Sequence, residues 1–325
     1  RPDKGAVNMS TKKWLLKARL KEQHIEALKG LYPDYEMITN DAETEAFSVV
    51  EWTVGWNDEL TNLLEEGKLP SLKWVQAISA GVNSLPLETF ERKGIYLTNA
   101  SGIHAEPIAE YVIGVLLSHM RGLKAAILNQ PQRKWEQTMD LQEMKGKTMM
   151  IVGEGHIGNR LGELAKAFGM KVIAVNRSGK DLPGMDVTVK MDDIVTVIDF
   201  ADVVVDILPQ TDETYRVFND ALFSRMKKGV LFVNVGRGAT VDSDSLIKAL
   251  DNGTVAYAAL DVFDEEPLPA ESPLWRHEKV LITPHFSGVV EHFRDSLFEV
   301  VLENAKSYKE DGKPSRNLID FGKKY

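Results

Sequence analysis

The 325-residue chain contains no cysteine. Disulfides, thiolate nucleophiles and cysteine-ligated metals are therefore excluded, and no metal site is read. There is also no excess of basic charge: 48 acidic residues face 39 Lys and Arg, the net charge is −9 and the pI is near 5.4. A general nucleic-acid or anionic-membrane surface needs the opposite balance, although a local basic pocket for a small anion is still allowed. No apolar run approaches the ~20 residues that span a bilayer, and no secretory signal pattern is visible, so a cytoplasmic protein is expected. Arg1 to Asn8 precede Met9 and read as an appended leader, with natural numbering beginning at Met9.

What is present is the makings of a large α/β core. Hydrophobic residues are 43% of the chain and charged residues 27%. The N-terminal third reads as strands at 14–18, 47–54, 72–81 and 96–100, with helices at 22–30 and 58–66. A long helical pattern runs from Ala105 to Asn129, with Ile108, Val112, Val115, Leu116 and Met120 on one face, and Pro131 stops it. Seven short Val/Ile-rich runs follow, at 148–153, 171–176, 187–190, 201–208, 229–236, 255–262 and 280–285, most of them separated by helical segments. Runs this apolar suit parallel strands covered on both faces, and the alternation implies doubly wound sheets. A final amphipathic helix, 291–310, has no strand after it and is expected to return to the first domain. The expectation is therefore two Rossmann-like or flavodoxin-like α/β domains with a cleft between them. Residues 9–100 with 290–325 would form a discontinuous substrate domain, and 101–289 the dinucleotide-binding one.

Ligands of open α/β sheets sit beyond the carboxyl ends of the strands. Read in order, those ends carry Gly153-Glu154-Gly155-His156-Ile157-Gly158, a G-x-G-x-x-G loop opening a helix, then Asn176-Arg177-Ser178, Leu208-Pro209, Gly236-Arg237-Gly238, Asp261 with Glu266, and His285-Phe286-Ser287. An arginine fork suits the carboxylate of an oxo acid, and a histidine titrating near neutrality suits the proton of a ketone–alcohol interconversion. Arg237 is thus read as substrate anchor, His285 as acid/base and Glu266 as the carboxylate that fixes the imidazole. Each has an ordinary counterpart, such as a turn arginine or a solvated acidic run; their gathering at one sheet edge favours chemistry.

The motifs VGEGHIG, ILPQTDET, VNVGRGATVD, ALDVFDEEPLP and ITPHFSG together resemble the D-isomer-specific 2-hydroxyacid dehydrogenases, over essentially the whole chain. The resemblance implies the roles just given to Arg237, Glu266 and His285, and an Asp261 that meets the nicotinamide amide. It implies cofactor contacts from Gly153, Gly155, His156, Ile157, Gly158, Asn176, Arg177, Ser178, Leu208, Pro209, Thr214, Val235, Gly236, Asp261, Ser287 and Gly288. It further implies that Ala80 and Gly81 bring backbone N–H groups to the substrate carboxylate. Trp135 is expected to reach a partner's pocket, and the chain to form a homodimer through the helix after residues 99–110.

One last absence concerns the cofactor. The acid that grips the NAD ribose normally lies about 20 residues past the loop. Eighteen residues beyond Gly158 stands Asn176, followed by Arg177 and Ser178. A carboxylate there would repel a 2′-phosphate by about 4 kcal/mol at 4 Å and an effective dielectric near 20. Asn removes that repulsion and Arg177 supplies a partner, so NADP (NADPH) is expected over NAD. The activity implied is reduction of a small 2-oxo acid, of the glyoxylate or hydroxypyruvate class, to the D-2-hydroxy acid. The alternatives are an NAD-dependent dehydrogenase, or a dinucleotide-sensing corepressor-like protein of the same fold.

Overall fold

The structure is a computed structural model that describes residues 11–39, 44–82, 84–153 and 155–322. The leader expected at Arg1 to Asn8, and Glu154 of the glycine loop, lie outside the described residues. The chain divides into two compact units, residues 1–103 with 290–325, and residues 104–289.

The first unit is a five-stranded parallel sheet built from β1 (Lys13–Leu16), β2 (Glu36–Ile38), β3 (Val50–Val54), β4 (Trp74–Gln76) and β5 (Tyr96–Thr98), in the order β2-β1-β3-β4-β5. Its N-terminal segment also supplies the helices α1 (Glu22–Leu31), α2 (Asp58–Glu65) and α3 (Leu87–Lys93). The strand expected over 47–54 is shorter, because Thr44–Val49 form a 3₁₀ turn before it. In register, Trp14 faces Trp52 and Trp52 faces Trp74, so the three indoles stack across the sheet at 4.7 and 5.2 Å.

The second unit opens with α4 (Ala105–Met120) and α5 (Leu123–Asn129). The single long helix expected from 105 to 129 is two helices bent by 63°, because Gly122 adopts a left-handed φ of +70° between them. Among the described residues no single helix is long and apolar enough to cross a membrane. Seven strands follow: β6 (Thr148–Val152), β7 (Lys171–Asn176), β8 (Val187–Lys190), β9 (Val203–Asp206), β10 (Val230–Asn234), β11 (Val255–Leu260) and β12 (Val280–Ile282). Between them run α6 (His156–Ala167), α7 (Asp220–Phe223) and α8 (Ser243–Asp251). The sheet is parallel throughout, in the order β12-β11-β10-β9-β6-β7-β8. β6 is thus where the strand order reverses, the switch point at which such sheets bind ligands.

Each sheet has an apolar cluster on both faces, as all-parallel sheets require. The last helix, α9 (Phe293–Asp311), belongs to the first unit, where Leu297, Val300, Val301, Ala305 and Tyr308 join the tryptophan cluster.

Candidate active site

The glycines of the loop after β6 each meet a different steric demand. Gly153 and Gly155 hold φ of +123° and +120°, which L side chains rarely adopt. A Cβ on Gly158 would lie 2.9 Å from the Gly153 carbonyl, so this glycine lets α6 pack close to its strand. The first-turn N–H groups of α6, at His156, Ile157 and Gly158, have no carbonyl one turn earlier and sit at the positive end of the helix. This cradle fits the pyrophosphate of a dinucleotide.

The turn after β7 is built differently from what the ribose rule suggests. Asn176 is only 2% exposed, its Oδ1 accepts from the Gly179 N–H at 2.5 Å, and its Nδ2 donates to the Lys180 carbonyl at 2.8 Å. Asn176 therefore shapes the turn, and Arg177 and Ser178 are the residues it exposes. Arg177 pairs with Glu213 at 3.3 Å, both largely in solvent. Beside it, the Thr214 hydroxyl donates to the Pro209 carbonyl at 2.6 Å, closing the loop that begins at the buried Leu208.

Arg237 occupies a turn that tolerates no side chain on either flank. A Cβ on Gly236 would lie 2.6 Å from the Leu208 carbonyl oxygen, and one on Gly238 would lie 1.8 Å from the Phe263 carbonyl carbon. The exposed guanidinium donates to the Gly236 carbonyl at 2.8 Å, while Val235 behind it is buried. After β11, Glu266 Oε1 accepts from the Phe263 N–H at 2.9 Å and Oε2 lies 2.7 Å from His285 Nδ1. Burial alone would push the Glu266 carboxyl up. The hydrogen bonds from His285 and Phe263, with the charges of His285 and Arg237, outweigh it and hold the carboxyl below its ordinary range. The structure thus brings both His285 and Arg237 within electrostatic reach of the Glu266 carboxylate.

Asp261 is fully buried behind this group. Its Oδ1 accepts from the Thr283 hydroxyl at 2.5 Å and the Phe286 N–H at 3.1 Å, and its Oδ2 accepts from the Ser287 N–H at 3.0 Å. Both oxygens are engaged by the loop that carries His285, so Asp261 tethers that loop to the end of β11. Tyr111 completes the chain by lying 2.7 Å from the Thr283 hydroxyl, and burial pushes its phenol up to about 12. The Gly288 carbonyl lies 2.7 Å from His104 Nδ1.

Two further expectations concern residues 80–81 and Trp135. Ala80 and Gly81 sit in an exposed bend of the first unit, where Asn99 Nδ2 donates to the Ala80 carbonyl at 2.7 Å. Trp135 is 88% exposed. The sequence reading overlooked Asp206, Asn234 and Thr240, three buried polar residues packed behind the Arg237 turn. The available signal was a carboxylate closing the run "VVVD".

Comparison with known proteins bears on this edge. Residues 113–287 match the profile of "D-isomer specific 2-hydroxyacid dehydrogenase, NAD binding domain". The chain is 34% identical over 259 residues to a glyoxylate reductase of Aeropyrum pernix, covering 77% of each protein. A solved D-isomer-specific 2-hydroxyacid dehydrogenase family protein of Aeromonas salmonicida is 35% identical, with a TM-score of 0.78 over 96% of this chain and 100% of that one. An NADPH-dependent glyoxylate/hydroxypyruvate reductase of Sinorhizobium meliloti, solved with NADP and sulfate, is 25% identical, with a TM-score of 0.74 over 97% and 100%. A profile that spans more than half the sequence, on the unit that presents the glycine cradle, places this chain in the D-isomer-specific 2-hydroxyacid dehydrogenase family of NAD(P)-dependent oxidoreductases.

Proposed function

We propose that this protein reduces a small 2-oxo acid, of the glyoxylate or hydroxypyruvate class, to the D-2-hydroxy acid with NADPH. The observation that carries the reading is the His285–Glu266 pair at 2.7 Å, with Arg237 acting on the same carboxylate. Arg237 takes the substrate carboxylate and keto oxygen through its planar fork. Glu266 accepts a hydrogen bond from Nδ1–H, which orients the ring so that the protonated imidazole hands its Nε2 proton to the carbonyl oxygen. When bound, the nicotinamide supplies the hydride. Gly153, Gly155 and the first turn of α6 would hold the cofactor's pyrophosphate, and Arg177 and Ser178 its 2′-phosphate. Likeness to glyoxylate reductases, one of them NADPH-dependent, supports this assignment.

The protein acts as a homodimer. The exposed apolar side chains Leu123, Ile127 and Leu128 of α5 and the nearby Trp135 support that reading. NADH is the second reading, favoured by the Arg177–Glu213 pair, which already occupies the cation meant for the 2′-phosphate. The test is steady-state kinetics with glyoxylate, hydroxypyruvate and larger oxo acids, using NADPH and NADH, on the unmodified protein and Arg237→Lys. The lysine keeps the charge but loses the fork, so the KM for the oxo acid should rise at least tenfold while the KM for NADPH stays within about twofold. An unchanged oxo acid KM returns Arg237 to the status of a turn residue.

A further inference from the structure

We propose that Asp206 works as a neutral carboxylic acid that positions Arg237 through Thr240, an inference that rests on the reading of Arg237 as substrate anchor. The Thr240 hydroxyl lies 2.5 Å from Asp206 Oδ2 and 2.6 Å from the Arg237 carbonyl oxygen. A hydroxyl carries one proton. If Asp206 were ionised, both neighbours of that hydroxyl would be pure acceptors, and one of the two short contacts would set lone pair against lone pair. A second proton satisfies both: Asp206 Oδ2–H donates to Thr240, and Thr240 donates to the Arg237 carbonyl. The remaining oxygen, Oδ1, accepts from the Leu208 N–H at 2.9 Å, as the carbonyl oxygen of a carboxylic acid should.

The surroundings agree. Asp206 is 0% exposed at the end of β9, and its register neighbours are Val152 on β6 and Asn234 on β10, neither of them ionisable. Among its described contacts no cation compensates a charge, and the Arg237 side chain is exposed on the turn. Burial pushes the Asp206 carboxyl up to about 7, against the opposing hydrogen bonds of Thr240 and Leu208. The Arg237 carbonyl also accepts from Asn234 Nδ2 at 3.1 Å and the Thr240 N–H at 3.3 Å, so loss of the hydroxyl proton weakens the turn without abolishing it.

As pH rises through neutrality the acid ionises, the Thr240 proton swings to the carboxylate, and the Arg237 turn loses its shortest hydrogen bond. Asp206 is thus a positioning residue, and the two variants that test it differ in which half of the relay survives. Asp206→Asn keeps an Nδ2 donor toward Thr240 at every pH; Thr240→Val removes the relay but leaves the acid. With glyoxylate and NADPH, the KM for glyoxylate in the unmodified protein should match Asp206→Asn at acidic pH and exceed it roughly three- to tenfold at alkaline pH. The unmodified protein and Asp206→Asn share His285 and Glu266, so the ratio isolates Asp206. Thr240→Val should show the raised KM throughout. Infrared difference spectra between acidic and alkaline pH, recorded without substrate, should show a protonated-carboxyl C=O band that is present in Thr240→Val and missing from Asp206→Asn. Absence of that band in the unmodified protein, or superimposable KM profiles for it and Asp206→Asn, overturns the proposal. Because the infrared band needs no turnover, its result stands apart from any failure of the oxo acid assignment.

Discussion

His285 and Glu266 sit on neighbouring strand ends, and each is useless alone: an exposed imidazole has no fixed orientation, and a carboxylate in an acidic run has no proton to hold. Their 2.7 Å contact makes one device of them. His285→Ala should lower kcat by about 10² to 10⁴-fold while cofactor binding, read by fluorescence titration, stays near normal. Glu266→Gln tests the electrostatics. The carboxylate sits below its ordinary range, so it remains charged throughout the working pH and favours the imidazolium. Reduction needs a proton on Nε2, so its rate falls as rising pH removes that proton. Removing the charge should move this alkaline limb to lower pH, and the acidic limb of the reverse oxidation should move the same way. A profile unmoved by Glu266→Gln would separate the pair functionally.

The turn after β7 shows where residue-level reading stops. That Asn176 is no carboxylate was visible in the sequence; that its amide is spent on Gly179 and Lys180 was not, because the spending depends on how the turn closes. An Asp here would keep the Gly179 hydrogen bond but face the Lys180 carbonyl with a second acceptor. Cofactor choice is therefore better tested at the exposed pair. Arg177→Ala should raise the NADPH KM about 10- to 150-fold and leave NADH unchanged. Glu213→Gln frees the guanidinium from a surface pair of the kind usually contributing about 0.2–1 kcal/mol, so the NADPH KM should fall by about 1.4- to fivefold. If neither substitution distinguishes the two cofactors, the NADPH reading fails.

At the scale of elements, the seven strands of the second unit were legible because buried parallel strands leave an unmistakable mark, short apolar runs closed by glycine or a polar residue. The α4–α5 break was hidden, since apolar spacing continues through Gly122 and only its left-handed φ turns the chain. Asp206 was hidden for a related reason: a lone acid ending a strand reads as a solvated terminus unless the 3₁₀ turn that buries it is known. The Gly-Arg-Gly turn was legible as a motif, but its strictness comes from packing. A methyl on Gly238 would collide with backbone atoms of Phe263 and Asp264, which cannot rotate away. Gly238→Ala should destabilise the second unit by about 3 kcal/mol or more, measured by urea unfolding, at the upper end of overpacking costs. A near-neutral value would mean that the β11 loop yields.

The whole molecule consists of two units, each with a sheet and apolar clusters of its own. Units of this kind unfold separately. Calorimetry should resolve two transitions, and NADPH at a hundred times its Kd should stabilise one of them by about 2.7 kcal/mol, raising its midpoint by roughly 5–10 °C. A single transition, or a common shift of both, would tie the units into one cooperative body.

The first unit has a hole in its sequence. The chain leaves it after Ile103 and comes back at Val290, and the returning helix supplies Tyr308 against Trp74 and an Asn304 amide that donates to the buried Gln76 side chain. A ribosome makes these pieces in that order. While nearly two hundred intervening residues are being added, the three stacked tryptophans have no lid, and the unit begun first is the one finished last. The second unit, contiguous in sequence, completes itself in the meantime. During synthesis, then, the nascent chain is a folded dinucleotide-binding half trailing an unfinished sheet, and the early tryptophan strands are the segment most in need of a chaperone.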